Sequence, residues 1–169
     1  DRMGWSHQTF AEFLAAEYLI KNEMTTDQIM SLLVHPFDPN GRLSPQLCGV
    51  AAWIATSRPD VFRRILENDP EILLRGDLDV VNQVQKENLV DALLRQYDRE
   101  TLLDLDWNIG GMYNKLYHNG LAEQLRPYIC DKTKGEVVRR VAIFIAKACE
   151  LHSLQEDLAN IALDIKQSM

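Results

Sequence analysis

The sequence predicts an all-α fold, and three observations carry the prediction. Proline stands where a first helical residue would stand in Ser44-Pro45, Arg58-Pro59 and Asp69-Pro70, and each is followed by an apolar-periodic segment. Elsewhere apolar residues recur at helical spacing, as in Leu89, Val90, Leu93, Leu94 and Tyr97. No run alternates apolar with polar residues between Asn-Gly or Asp-Gly turns, which is the pattern of a hairpin. Short helices in series, joined by connections of about two to eight residues, point to irregular antiparallel helical hairpins. These would form either a HEAT- or armadillo-like superhelix or a helical bundle. No fixed-period repeat occurs, so strict repeat families such as TPR or ankyrin are without support.

The first element is "SHQTFAEFLAAEYLI", residues 6 to 20. Thr9 with Glu12 three residues later has the spacing of a capping box, and neither Gly nor Pro interrupts the run to Ile20. Between Phe10 and Ile20 the charges are Glu12 and Glu17, and at about 100° per residue they fall on different faces. Such a helix, apolar on almost every side, belongs inside something. The three prolines then open "PQLCGVAAWIATS" (45 to 57), "PDVFRRILEN" (59 to 68) and the short "PEILLR" (70 to 75), with Ser44 and Asp69 as candidate N-caps. A helix is expected from about Val80 to Tyr97, ending in the polar "DRE". "TLLDLDWNIGGMYN" contains Gly110-Gly111 and reads as a short helix or extended piece leading to a turn. Two short helices come next, near 112 to 118 and 121 to 129, separated by Asn119-Gly120.

The last third is more regular. Val137, Val138, Val141, Ile145 and Ala148 form one stripe of a helix over 136 to 149. Ala142, Ile143 and Phe144 widen it until the middle is apolar on most sides, as in a helix sandwiched between layers. Ser153 and Glu156 have capping-box spacing again. Leu154, Leu158, Ile161 and Ile165 then make a narrower stripe with a charged outer face, that of an edge helix.

Composition bounds the function. The 169 residues, 46% hydrophobic and 25% charged, suit a globular chain of ordinary domain size. The longest apolar runs, such as "VAIFIA", fall far short of the roughly 18 residues a membrane span needs, and no signal sequence opens the chain, so a cytoplasmic location with no membrane partner is expected. The net charge of −7 argues against general nucleic-acid binding. Cys48, Cys130 and Cys149 are odd in number and widely spaced among apolar residues, which favours reduced core thiols. The chain begins with Asp1, not Met, and is read as a piece of something longer.

Catalytic signatures are missing. There is no G-x-x-x-x-G-K-[ST], no G-x-G-x-x-G and no G-x-S-x-G, so the sequence offers neither a phosphate cradle nor a nucleophile elbow. Asp104 and Asp106 with Glu100 offer one D-x-D, the basis of a reading as a small helical metal-dependent enzyme, but without further oxygen ligands the signal is weak and solvated helix-end carboxylates are the preferred reading. Cys149 and His152 have C-x-x-H spacing without a second pair, which falls short of a zinc site. Lys132, Lys134, Arg139 and Arg140 gather positive charge at one helix start, either as a solvated face or as a docking patch for an acidic partner. Trp53, inside "VAAWIA", reads as core, whereas Trp5 and Trp107 border the opening helix and a turn.

"SHQTFAEFLAAEYL" resembles the stretch that closes the winged-helix part of NACHT-type STAND NTPases, H-x-[ST]-F-x-E-[FY]-x-A-A-x-[YF]-L. The matching residues are His7, Thr9, Phe10, Glu12, Phe13, Ala15, Ala16, Tyr18 and Leu19. "GVAAWIATSRPDVFRRILENDPEILLRGDL" is similar to the helical region after that module in large bacterial members, and "VVRRVAIFIAKAC" fits the same extension more loosely. The resemblance implies that residues 1–22 end a winged-helix element with its linking helix, and that 23–169 form a helical, HEAT-like domain. It further implies a non-catalytic C-terminal segment of a signalling NTPase, a hinge and a sensing or autoinhibitory scaffold, associated in bacteria with antiphage defence. The implied partners are the upstream NTPase and winged-helix domains of the same chain and a protein trigger. ATP or ADP is the implied cofactor of the whole protein and not of this segment. At the position of His7 such proteins place a histidine against the β-phosphate of the bound diphosphate, and an imidazole N–H is a fitting donor for a phosphate oxygen. A structural histidine at a strand-to-helix junction is the competing role. Two other readings compete with the family: a free-standing HEAT-like interaction module and the metal-dependent enzyme. With its winged-helix neighbour cut away, the helix of residues 10 to 20 is expected to leave an exposed apolar patch or to self-associate.

Overall fold

The computed structural model describes residues 8 to 38, 41 to 99 and 111 to 167, with side chains of the last helix through Leu163. The chain is all-α. Among the described residues there is no sheet, and the one β-bridge pairs Val34 with Leu43 in antiparallel sense. It divides into two compact units, Asp1–Val81 and Asn82–Met169.

In the first unit, α1 is Gln8–Lys21, α2 Thr26–Leu33, α3 Cys48–Ser57, α4 Pro59–Asn68 and α5 Pro70–Leu73. The three prolines do open helical turns: Pro45 begins a 3-10 turn that runs into α3, and Pro59 and Pro70 take the first positions of α4 and α5. Their expected caps behave differently. Neither Ser44 nor Asp69 caps with its side chain, and the Asp69 carboxylate instead accepts the backbone N–H of Leu43 at 2.9 Å. Thr9 lies inside α1, and Glu12 takes a hydrogen bond from Gln8 Nε2 at 3.0 Å where a capping box was expected. The capping box that does form is at α2, between Thr25 and Gln28, a helix the apolar spacing alone does not announce.

α3 is the hub of this unit, packing against α1, α4 and α5. Its Val50, Ala51, Ala52, Ile54 and Ala55 are buried, and three of those five are alanines, which let neighbouring helices approach closely. Gly76 follows α5 for the same reason, because a Cβ there would stand 3.0 Å from the Ala52 carbonyl oxygen. Arg58 is the single residue between α3 and α4. Its guanidinium donates to Asp60 Oδ1 at 2.9 Å and to the Met24 carbonyl at 3.1 Å, which fixes the start of α4 to the start of α2.

In the second unit, α6 is Gln83–Asp98, α7 Leu121–Cys130, α8 Glu136–Ala148 and α9 Gln155–Gln167, with 3-10 turns at Tyr113–Leu116 and His152–Leu154. α6 starts three residues later than expected, because Leu78–Val80 forms a 3-10 turn and Asn82 makes a capping box with Gln85. All five residues that marked its apolar face are buried. Before α7, Gly120 has φ +88°, a left-handed conformation that side chains resist. α8 packs against α6, α7 and the 113–116 turn. It buries Val138, Val141, Ala142, Ile145 and Ala146, while Phe144 faces outward. The breadth expected of its apolar middle is therefore narrower in the fold. α9 packs on α7, and Arg126 Nε donates to Asp157 Oδ2 at 3.0 Å across that contact. Ser153, expected to cap α9, lies within the preceding 3-10 turn.

Candidate functional site

Several expected site residues, His7, Glu100, Asp104, Asp106, Trp5 and Trp107, lie outside the described residues. The other candidates can be followed to their partners. Cys149 Sγ donates to the Tyr113 carbonyl at 3.2 Å, and His152 Nδ1 pairs with Gln155 Nε2 at 3.0 Å, so the two residues of the C-x-x-H spacing go to separate partners. Among the described residues no group of three or more His, Cys, Asp or Glu side chains could hold a metal ion. Burial pushes the Cys149 thiol up to about 11 and also raises that of Cys48, so both are poor nucleophiles near neutrality. Cys130 departs from the expected core position and is exposed.

The basic cluster is largely spoken for. Lys134 Nζ lies 2.6 Å from Asp98 Oδ2 and 5.2 Å from the Tyr128 ring centre, an ion pair and a cation–π contact that hold it to the body of the second unit. Arg139 donates weakly to the Ile129 carbonyl at 3.4 Å, the end of α7. Two of the four basic side chains are thus held by neighbours within the second unit, Arg139 at the C-terminal end of α7.

The most site-like geometry is in the first unit, along α1. Gln8 to Lys21 form one uninterrupted helix, and Ala16 is its one buried residue. Phe10, Phe13, Leu14 and Tyr18 are exposed, Tyr18 at 66%. The apolar face that the sequence marked as needing cover thus lies open where α3 does not reach it. Glu12 fits over Gly49, where a Cβ would come within 2.2 Å of the carboxyl carbon. Because Gly49 is in the first turn of α3, this places a negative charge at the positive end of that helix.

Between α1 and α3 is a slot of about 170 Å³. The rings of Phe13 and Trp53 meet edge to face, 5.4 Å between centres at 80°, and Ala16 and Val80 complete the apolar lining. Glu17, Asp77, Thr56 and Ser57 supply the polar lining. Trp53 is therefore half-buried in a wall and not sealed in the core as its neighbours in sequence suggest. The other lining groups escape a reading by motif, because Glu17 and Asp77 are 60 residues apart and meet at one slot only because α1 and the segment after α5 both pack on α3.

No helix among the described residues is long and apolar enough to cross a membrane. In comparison with known proteins, no family model, no curated protein and no solved structure matches the chain.

Proposed function

We propose that this chain is a C-terminal helical segment of a NACHT-type STAND NTPase, acting as a non-catalytic hinge and as part of a sensing or autoinhibitory scaffold in the cytoplasm, in bacterial antiphage defence. The observation that supports this reading best is the opening helix. The residues that resemble the family's motif run along α1 with Phe10, Phe13, Leu14 and Tyr18 open to solvent, as a helix would be that packs against a preceding winged-helix domain. In this reading the nucleotide is held by upstream parts of the same protein, and His7 adds one donor to its β-phosphate. The segment alone has no glycine-rich loop and no phosphate-binding lysine of the P-loop type, so one imidazole cannot offset the desolvation of a polyanion.

The test is made in the intact protein. His7→Ala there should weaken retention of ADP and raise basal activity, by no more than the contact's differential free energy of about 1–3 kcal/mol. Calorimetry of the isolated segment should show no ADP binding at micromolar concentration. Tight ADP binding by the segment overturns the reading, and unchanged ADP retention in the mutant returns His7 to a structural role. A free-standing interaction module is the second reading, supported by the same exposed row on α1, and it gains if no P-loop is encoded upstream.

A further inference from the structure

The slot between α1 and α3 has a composition that selects its occupant. Its apolar surfaces are the two aromatic rings with Ala16 and Val80, a half-open wall against which an aliphatic stem can lie. Its charged groups are both carboxylates, Glu17 and Asp77, and its hydroxyls, Thr56 and Ser57, can accept hydrogen bonds. Thr56 Oγ1 already donates its proton to the Trp53 carbonyl at 2.7 Å, so toward a ligand it acts as an acceptor. Asp77 accepts one bond, from the Asp79 N–H at 3.1 Å, and has further acceptor capacity. Glu17 pairs with Lys21 at 3.0 Å, but Lys21 is 74% exposed, so that pair is a surface contact an incoming cation can share or replace. Among the described residues no cationic side chain lines the slot. The unit as a whole is acidic, with twelve Asp and Glu against seven Lys and Arg over residues 1–81.

We propose that this slot, formed by Phe13, Trp53, Glu17 and Asp77, is a docking site for an arginine side chain carried by a basic segment of a protein partner. Charge excludes a carboxylate or phosphate, and the apolar lining disfavours a small hydrated cation. A guanidinium answers both surfaces: its flat face stacks on an aromatic ring and its five N–H donors spread to acceptors on more than one side. Lysine offers a point charge without the planar face and fits less well. Phe10, Leu14 and Tyr18 are exposed on the same helix, outside the slot lining. The inference stands on the slot alone and requires that Phe13 stay open, so it and the packing of α1 on a winged-helix domain are alternatives for that side of the helix.

The probe is the peptide acetyl-Leu-Arg-Leu-amide, followed by NMR titration of the full chain. The expected result is a set of shift changes confined to residues 13 to 17, 53 to 57 and 77 to 80. Replacing arginine by citrulline, which keeps the shape and removes the charge, should weaken binding by about tenfold or more, and lysine should bind more weakly than arginine. The double substitution Glu17→Gln with Asp77→Asn should lose binding to a similar degree. Both are surface changes, and the amide introduced in place of the Asp77 carboxylate still accepts from the Asp79 N–H. Trp53→Leu gives a second, independent variant that removes the stacking face and leaves both carboxylates. Equal binding of the citrulline peptide, lysine binding as tight as arginine, shifts centred elsewhere, or no shifts at millimolar peptide would each overturn the proposal.

Discussion

Two helices that read alike in the sequence, α1 and α8, end in opposite circumstances. Both are apolar on most sides, yet α1 buries only Ala16 while α8 buries five residues. The difference lies in their neighbours: α1 rests on α3, whereas α8 is flanked by α6, α7 and the 113–116 turn. Apolar content therefore states a demand for cover, and the packing decides whether the same unit meets it. Where it is met, a position is structural. Where it is not, the position is available for recognition.

The contrast is sharpest under charge insertion. Val141 has no exposed surface, so Val141→Asp should prevent the second unit from folding, at a cost of about 3 kcal/mol or more, seen as loss of cooperative thermal melting. Tyr18→Gln, on the open side of α1, should change stability by less than about 0.5 kcal/mol. A folded Val141→Asp protein would place α8 at the periphery and erase the distinction.

Glycine contacts refine the same comparison within the first unit. Gly76→Ala sets a Cβ against the fixed carbonyl of Ala52 and against Thr56 Cγ2 at 3.1 Å, and should cost about 1–3 kcal/mol in urea unfolding. Gly49→Ala meets only the end of the Glu12 side chain, which can swing aside. Because alanine favours a helix by up to about 1 kcal/mol, its net effect should be near zero. Equal losses in the two variants would show that α1 is held to α3 as rigidly as α5 is.

Smaller than the losses at Val141 and Gly76 are the effects of pH, where Asp60 and Asp69 should act with opposite sign. The Arg58 and Thr26 hydrogen bonds hold the Asp60 carboxyl well below the usual range, whereas burial pushes that of Asp69 up, against the Leu43 N–H. Asp60 therefore adds stability that is present above about pH 4 and fades as pH falls through its lower folded value. Ionising Asp69 costs stability; the cost is absent below about pH 4 and grows as pH rises through its raised folded value. At pH 7, Asp60→Asn should lose up to about 1 kcal/mol, a modest figure because the pair is partly exposed and screened. Asp69→Asn keeps an acceptor for Leu43 and should lose nothing. Urea titrations at pH 4 and pH 7 measure both, and matching signs would refute the assignment.

The features legible in the sequence were local ones. The buried face of α6 followed from spacing alone, and the three prolines marked their helical starts, because both signals act within one or two turns. α2 carries a local signal too, in Thr25 and Gln28, although its apolar pattern is short. Distant partners overrode other signals: Asp69 looked like an N-cap, but the Leu43 N–H, 26 residues away, engages its carboxylate. The slot was the least legible feature. Trp53 sits among alanines and isoleucine, which suggests a core, and no pattern records that Ala16 is too small to cover it or that the 77–80 turn brings Asp77 alongside.

The Arg58 junction has a mechanical consequence. Its backbone carries the chain from α3 to α4 in one residue, and its side chain grips the Met24 carbonyl just before α2. A displacement at the end of α1 passes within three residues to that carbonyl and from there to the first turn of α4, so α2 and α4 cannot fray at their starts independently of one another. The arginine works as a rivet that turns a local tug on the opening helix into a shared load, borne by two helices at once.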